Sequence, residues 1–163
     1  MQIQFSDFIV PGALVPDLAA TSKVEVLAEM IDALVEAGAL RAEQRPHAVQ
    51  ALVARERICT TAINGSVAIP HGKHPGVHQL VGMVGRSLAG IPFEAEDGIP
   101  VHLFFLLLSN QNESSRHLEA LAHISRCVRD DLFKRFLLNA RSANEMMHVL
   151  STADQQPYGA GLA

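Results

Sequence analysis

Val101 to Leu108 is an apolar run broken only by His102. It lies between Pro100 and the polar pair Ser109-Asn110. It falls well short of the roughly 18 residues a membrane-spanning helix needs. Its length and its bulky side chains suit a central strand that is apolar on both faces. A strand of that kind must be covered from both sides. The surrounding pattern supplies the cover, because helical periodicities alternate with short strand-like runs along the chain. The expected architecture is α/β, a single domain with a mixed sheet flanked by helices on both faces.

With 163 residues the chain suits one domain with a sizeable core. Its 48% hydrophobic and 18% charged content is ordinary for a globular protein. A formal charge of -4 and the lack of a basic run argue against nucleic-acid binding. The N-terminus carries no basic segment followed by a long apolar one, so no signal peptide is expected. Cys59 and Cys127 form no CxxC pair and read as reduced thiols of a cytoplasmic protein. The domain is expected over residues 1–154. The tail 155–163, with Pro157, Gly159 and Gly161, is expected to be disordered.

Along the chain, a short helical turn is expected near Ser6 and a strand near Leu14. Ser22 and Glu25 have the spacing of a capping box. Val24, Leu27, Ala28, Ile31, Leu34 and Val35 then recur at helical spacing, and Gly38 ends that helix. A second helix begins near Arg41 or Pro46, buries Ala48, Val49, Leu52 and Val53, and closes with Arg55-Glu56-Arg57. Asn64-Gly65 is a hairpin turn between Thr60–Ile63 and Val67–Ile69. Lys73 to His78 form a loop, and Leu80 to Gly85 a strand. After Val101–Leu108, a helix over about 115–129 places Leu118, Leu121, Ala122, Ile124 and Val128 toward the core. A short helix with Leu132, Phe133, Phe136 and Leu137 follows. A last one, opened by Ser142 and Glu145, holds the core methionine pair Met146-Met147.

The chemistry concentrates at Ser66-Val67-Ala68-Ile69-Pro70-His71-Gly72. Pro70 cannot donate to a ladder, so His71 is expected just past a strand end. Gly72 permits close approach of backbone or ligand. His71 is then either a polar cap on a strand or a reactive imidazole: nucleophile, base or metal ligand.

Ala68-Ile69-Pro70-His71-Gly72 resembles the phosphorylation-site motif of the enzyme IIA domains of the bacterial phosphotransferase system (PTS), fructose–mannitol type. Ile91-Pro92-Phe93 and Asp97-Gly98-Ile99-Pro100-Val101 are similar to the family's segment before its central strand. His117-Leu118 matches its second active-site His-Leu, and Arg55 stands where the family closes its second helix with an Arg. The resemblance covers roughly residues 5 to 152. It implies the mannitol-type enzyme IIA fold and phosphorylation of His71 by a histidine phosphocarrier protein. It implies no cofactor; no metal is expected either, because the loop after His71 cannot hold a helical His array. The downstream partner is then a regulatory target or a permease IIB domain, with no membrane insertion.

Physical reasoning agrees with those roles. An unperturbed His is partly neutral near pH 7 and can be a nucleophile. Phosphoryl transfer relies on positioning and on donors for the equatorial oxygens. Arg55 can offer a fork to two of them, and Arg57 is the alternative cation. His117, in the first turn of a helix, is disfavoured as a cation and can serve as a neutral donor. Their bland readings are a solvated helix-end charge and a surface histidine.

One departure stands out. Sugar-transport members often carry a Glu six residues before the active His, and Gly65 occupies that place here. This leaves the orientation of His71 to other groups and leans toward the nitrogen-related, regulatory branch. The cleft mouth is expected to include Ile63, Val67 and Ile69 beside Asn64 and Asn110. Two rivals are a metal site of His71, His74 and His78, which Gly72, Pro75 and Gly76 would break, and a non-catalytic interaction module.

Overall fold

The computed structural model describes residues 2–155. Its strands are β1 (Ala62–Ile63), β2 (Val67–Ala68), β3 (His71–Lys73), β4 (Val81–Ile91) and β5 (Val101–Ser109). Its longer helices are α1 (Lys23–Glu36), α2 (Arg45–Ile58), α3 (Ser114–Val128), α4 (Asp131–Asn139) and α5 (Ala143–Gln155). Gln155 closes α5, and the expectation of a disordered tail otherwise falls on 156–163, outside the described residues.

β5 is the axis, as the apolar run demands. β4 lies antiparallel along one edge, from Val81 opposite Leu108 to Ile91 opposite Val101. β2 and β3 lie parallel along the other edge, Val67 opposite Leu103 and His71 opposite Leu107. They are two halves of one strand interrupted at Ile69-Pro70. Pro70 keeps the ladder going through its carbonyl, which accepts from Leu107 N at 3.0 Å. Proline therefore costs the sheet only a donor. This corrects the expectation that the strand stops before His71. His71 opens a second segment, and Lys73 belongs to that strand rather than to a loop.

Side chains alternate along β5 and divide the core. Leu103, Phe105 and Leu107 face a layer that includes Ala120, Ile124, Phe133, Leu137, Met146 and Leu150. Phe104, Leu106 and Leu108 face a layer that includes Leu27, Met30, Ile31, Leu34 and Leu52. The first layer is closed by α3, α4 and α5, the second by α1 and α2. The same alternation runs through β2 and β3. Val67 and Ile69 face the α3 side, and Ala68 the α1/α2 side. A Cβ at Gly72 would touch Leu52 Cδ2 at 3.5 Å and Ala51 Cβ at 3.6 Å, so Gly72 lies against α2. His71 and Lys73 thus share the α3 face.

Local signals hold with small shifts. Ser22 Oγ accepts from Glu25 N at 3.4 Å, but Glu25 reaches back to Thr21 N, one residue before the cap. Ser142 and Glu145 repeat the pattern, with Glu145 accepting from Arg141 N. Gly38 takes φ 80° after α1. The hairpin turn uses Gly65 at φ 92° and Ser66 at φ 72°. Asp97 accepts from Gly65 N at 3.0 Å, and Ser66 Oγ donates to Pro100 O at 2.8 Å, which ties the turn to the entry of β5.

Other expectations change. The strand near Leu14 is a single bridge from Val15 to Gly85, and β4 runs on past Gly85 to Ile91. On α3, Leu118 is 66% exposed and Ala122 is exposed; His117, Ala120, His123 and Cys127 are buried instead. The buried stripe is rotated because the helix packs the His117 edge on the end of the sheet. Leu132 and Phe136 on α4, and Val24 on α1, also lie largely exposed, while Val26 and Met30 fill the core. On α2, Val49 and Val53 are only partly buried. Among the described residues no helix is long and apolar enough to cross a membrane.

Candidate phosphoryl site

His71 and His117 meet at the C-terminal end of β5. Their rings stand edge to face with centroids 5.4 Å apart. His71 is half-buried, and its Nδ1 lies 2.7 Å from the carbonyl oxygen of Ile69. A carbonyl only accepts, so Nδ1 carries the proton and Nε2 carries the lone pair. The bond spans the Pro70 interruption, which bends the chain enough for the ring to reach back. It supplies the orientation that the missing carboxylate at Gly65 leaves open. Burial, aided by the Arg55 charge, holds the His71 pKa below its ordinary value. The Ile69 carbonyl and Glu56 act the other way. His71 is thus a neutral imidazole whose Nε2 lone pair has no hydrogen bond among the described residues.

His117 is 5% exposed and sits in the first turns of α3. Its Nδ1 lies 2.6 Å from the hydroxyl of Ser109, the last residue of β5, which is fully buried. Burial, followed by the charges of His71 and Lys73, lowers its pKa to about 4. A neutral ring at this helix start agrees with the helix dipole.

Arg55 lies in the last turn of α2, and its guanidinium donates to Cys59 O at 2.7 Å. Arg57 points elsewhere, since residues two apart on a helix face nearly opposite ways. It lines a separate hollow with Lys23, Glu56 and Glu94. Of the two arginines, Arg55 is the one whose charge acts on His71.

The structure adds groups that sequence reading missed. Lys73, on the same strand face as His71, donates from Nζ to Ser114 Oγ at 2.7 Å. It borders a cleft of about 640 Å³ between the loop after β3 and the Asn110–Asn112 turn. Buried Glu56 accepts from Thr61 N at 3.0 Å and pairs with Lys23 at 3.2 Å. The signal for Lys73 and Ser109 was the two-residue alternation from Val67 and Leu103, had it been carried to the ends of both strands. The rim also differs from expectation. Val67 and Ile69 are core residues, and Ile63, 37% exposed, is the member of that trio left at the surface. Exposed Ile58 follows Arg55, and exposed Leu118 follows His117.

The rival metal array is not assembled. His74 is buried, its Nδ1 accepts from Gly76 N at 2.9 Å, and its ring packs against His47. Among the described residues no group of three or more His, Cys, Asp or Glu converges as a metal site would require.

Known proteins share this fold. Residues 8–153 match the family model described as phosphoenolpyruvate-dependent sugar phosphotransferase system, EIIA 2. A nitrogen regulatory protein of Bradyrhizobium diazoefficiens is 36% identical over 146 residues, covering 90% of this chain and 94% of the relative. The fructose-specific EIIABC component of Bacillus subtilis is 30% identical over 139 residues, 85% of this chain but 22% of that longer protein. The crystal structure of nitrogen regulatory protein IIA-Ntr from Neisseria meningitidis superposes with a TM-score of 0.81 at 30% identity, covering 90% of this chain and 98% of that one. With a family model matched over nearly its whole length, the chain belongs to the EIIA 2 family of the phosphotransferase system.

Proposed function

We propose that this EIIA-type phosphoryl carrier takes its phosphoryl group on His71 Nε2, from a histidine phosphocarrier protein, and acts as a cytoplasmic regulator of the nitrogen type. The observation that carries the site assignment is the bond from His71 Nδ1 to Ile69 O, which leaves Nε2 unprotonated beside Arg55 and His117. The Nε2 lone pair forms the bond to phosphorus as the donor's N–P bond breaks, and the donor ring recovers its electron pair. The Nδ1 proton stays on His71, where the Ile69 carbonyl stabilises the positive charge the ring acquires. Arg55 and a neutral His117 supply donors to the phosphoryl oxygens. The regulatory reading is supported by Gly65 in place of a Glu and by similarity to nitrogen regulatory proteins over nearly their whole length. A relay to a IIB domain is the second reading, favoured by the likeness to the fructose-specific EIIABC component.

Incubation with phosphorylated carrier and mapping of the acid-labile label tests the assignment. The label should fall on the peptide containing His71. Label that persists in His71→Ala would overturn it.

A further inference from the structure

We infer that Ser109 is a positioning residue for phosphoryl transfer: its hydroxyl donates to His117 Nδ1 and so keeps the His117 proton on Nε2. This rests on the reading of His71 as the phosphoryl acceptor.

A serine hydroxyl can donate or accept, so the direction of the 2.6 Å contact has to be argued. Ser109 is fully buried, and its hydroxyl has no other hydrogen bond among the described residues. If His117 Nδ1 held the proton, the hydroxyl hydrogen would be buried with no acceptor, a costly arrangement. With the hydroxyl donating, both groups are satisfied, and the ring proton must sit on Nε2. The main chain fixes Ser109 firmly. Its carbonyl accepts from His74 N at 2.8 Å, and it stands opposite Lys73 in the parallel pairing. Its position on β5 puts it on the face of Leu103, Phe105 and Leu107, the face His71 also uses.

The consequence is a complementary pair of rings. His71 has its proton on Nδ1 and a lone pair on Nε2. His117 has the reverse. A His117 in the other tautomer would present a lone pair on Nε2, which repels phosphoryl oxygens. A protonated His117 would add a charge that burial and its neighbours oppose. Ser109 therefore selects the one form of His117 able to donate without carrying charge.

The test is long-range nitrogen–proton NMR of the histidine rings in wild type, Ser109→Ala and Ser109→Thr, together with transfer rates from phosphorylated carrier. Wild-type His117 should be predominantly the Nε2–H tautomer. Ser109→Ala should mix the tautomers and slow transfer on the order of tenfold, one lost hydrogen bond. Ser109→Thr, which keeps the hydroxyl, should restore the tautomer. In a His117→Ala background, Ser109→Ala should cause no further loss of rate. An unchanged tautomer in Ser109→Ala, or an equal rate loss with His117 already removed, overturns the inference. The tautomer is read on unphosphorylated protein. Absence of label on His71 would thus sink the carrier site while leaving the Ser109 result standing by itself.

Discussion

His71 and His117 pack edge to face, and each ring has its Nδ1 engaged from outside the pair, by Ile69 O at 2.7 Å and Ser109 Oγ at 2.6 Å. Neither Nε2 has a protein hydrogen bond among the described residues. The backbone of β2–β3 orients one ring and the end of β5 orients the other. The interruption at Pro70 and the last residue of β5, Ser109, therefore set the chemistry between them.

The first consequence concerns which nitrogen is modified. With Nδ1–H bound to the Ile69 carbonyl, phosphorylation should occur at Nε2. Phosphorus and nitrogen NMR of the phosphorylated protein distinguishes the two isomers. A product on Nδ1 would require the ring to leave Ile69 and would contradict the geometry.

Arg55→Ala should fold normally and transfer slowly; His117→Ala, which leaves the buried Ser109 hydroxyl without its partner, should lose some stability yet fold, and also transfer slowly. Loss of a charge-assisted contact is worth about 1.5–3 kcal/mol, which corresponds to roughly tenfold to a hundredfold in rate. Arg57→Ala, on the opposite side of α2, serves as the comparison and should transfer at the wild-type rate. Equal rates in all three variants would show that none of these side chains meets the phosphoryl group.

Acid should destabilise the fold through its histidines. His71, His74, His117 and His123 all have pKa values lowered chiefly by burial, His117 from 6.5 to about 4. As pH falls below about 6.5, the unfolded chain binds protons that the folded chain refuses. Stability should therefore decline on acidification, with the His117 share lost between pH 6.5 and about 4 and none of it changing above that window. Urea midpoints at several pH values measure this, and His117→Asn should flatten part of the slope. A His117 that titrates near 6.5 in NMR would remove the basis for the prediction.

A structural prediction comes from Arg86, buried within β4. Its guanidinium donates to Pro16 O at 2.9 Å, to Leu137 O at 2.9 Å and to Ala140 O, joining the N-terminal segment to the end of α4. A cation at a helix C-terminus also complements the dipole. Arg86→Met keeps much of the apolar stem but strands these carbonyls. It should cost at least about 1.5–3 kcal/mol in denaturant unfolding. An unchanged midpoint would mean that other donors replace it.

Sequence legibility followed the physics of each element. The Val101–Leu108 run announced the central strand because nothing else buries an apolar stretch of that length between breakers. His71 stood out by its place between Pro70 and Gly72, and the family resemblance marked His117 and Arg55. Ser109 and Lys73 did not, since a serine ending a strand and a lysine after a glycine look like solvent-facing residues. The place of Lys73 depends on the strand continuing through Pro70, and a proline gives no sign that its carbonyl still pairs; the contact of Ser109 depends on where α3 brings His117. The exposure of Leu118 was equally hidden. Helical periodicity gives the stripe, but the angle at which α3 meets the sheet decides which edge of the stripe is buried.

The last prediction is that phosphorylation acts as a switch on a docking surface. The chain leaves apolar side chains uncovered: Leu118, next to His117, at 66% exposure, Ile58, one turn after Arg55, at 81%, and Ile63, on β1, at 37%. These would suit an uncharged partner surface. A phosphoryl group adds roughly two negative charges, which oppose docking through desolvation and repulsion. The unmodified form should then bind its target and the phosphorylated form release it. A pull-down from cell extract with wild type, His71→Ala and the acidic mimic His71→Glu separates the outcomes. His71→Ala should keep partners that His71→Glu loses, and Leu118→Asp should lose them without any change at His71. Recovery of the same proteins by all the variants, or of a IIB-containing permease alone, would favour the relay reading over the regulatory one.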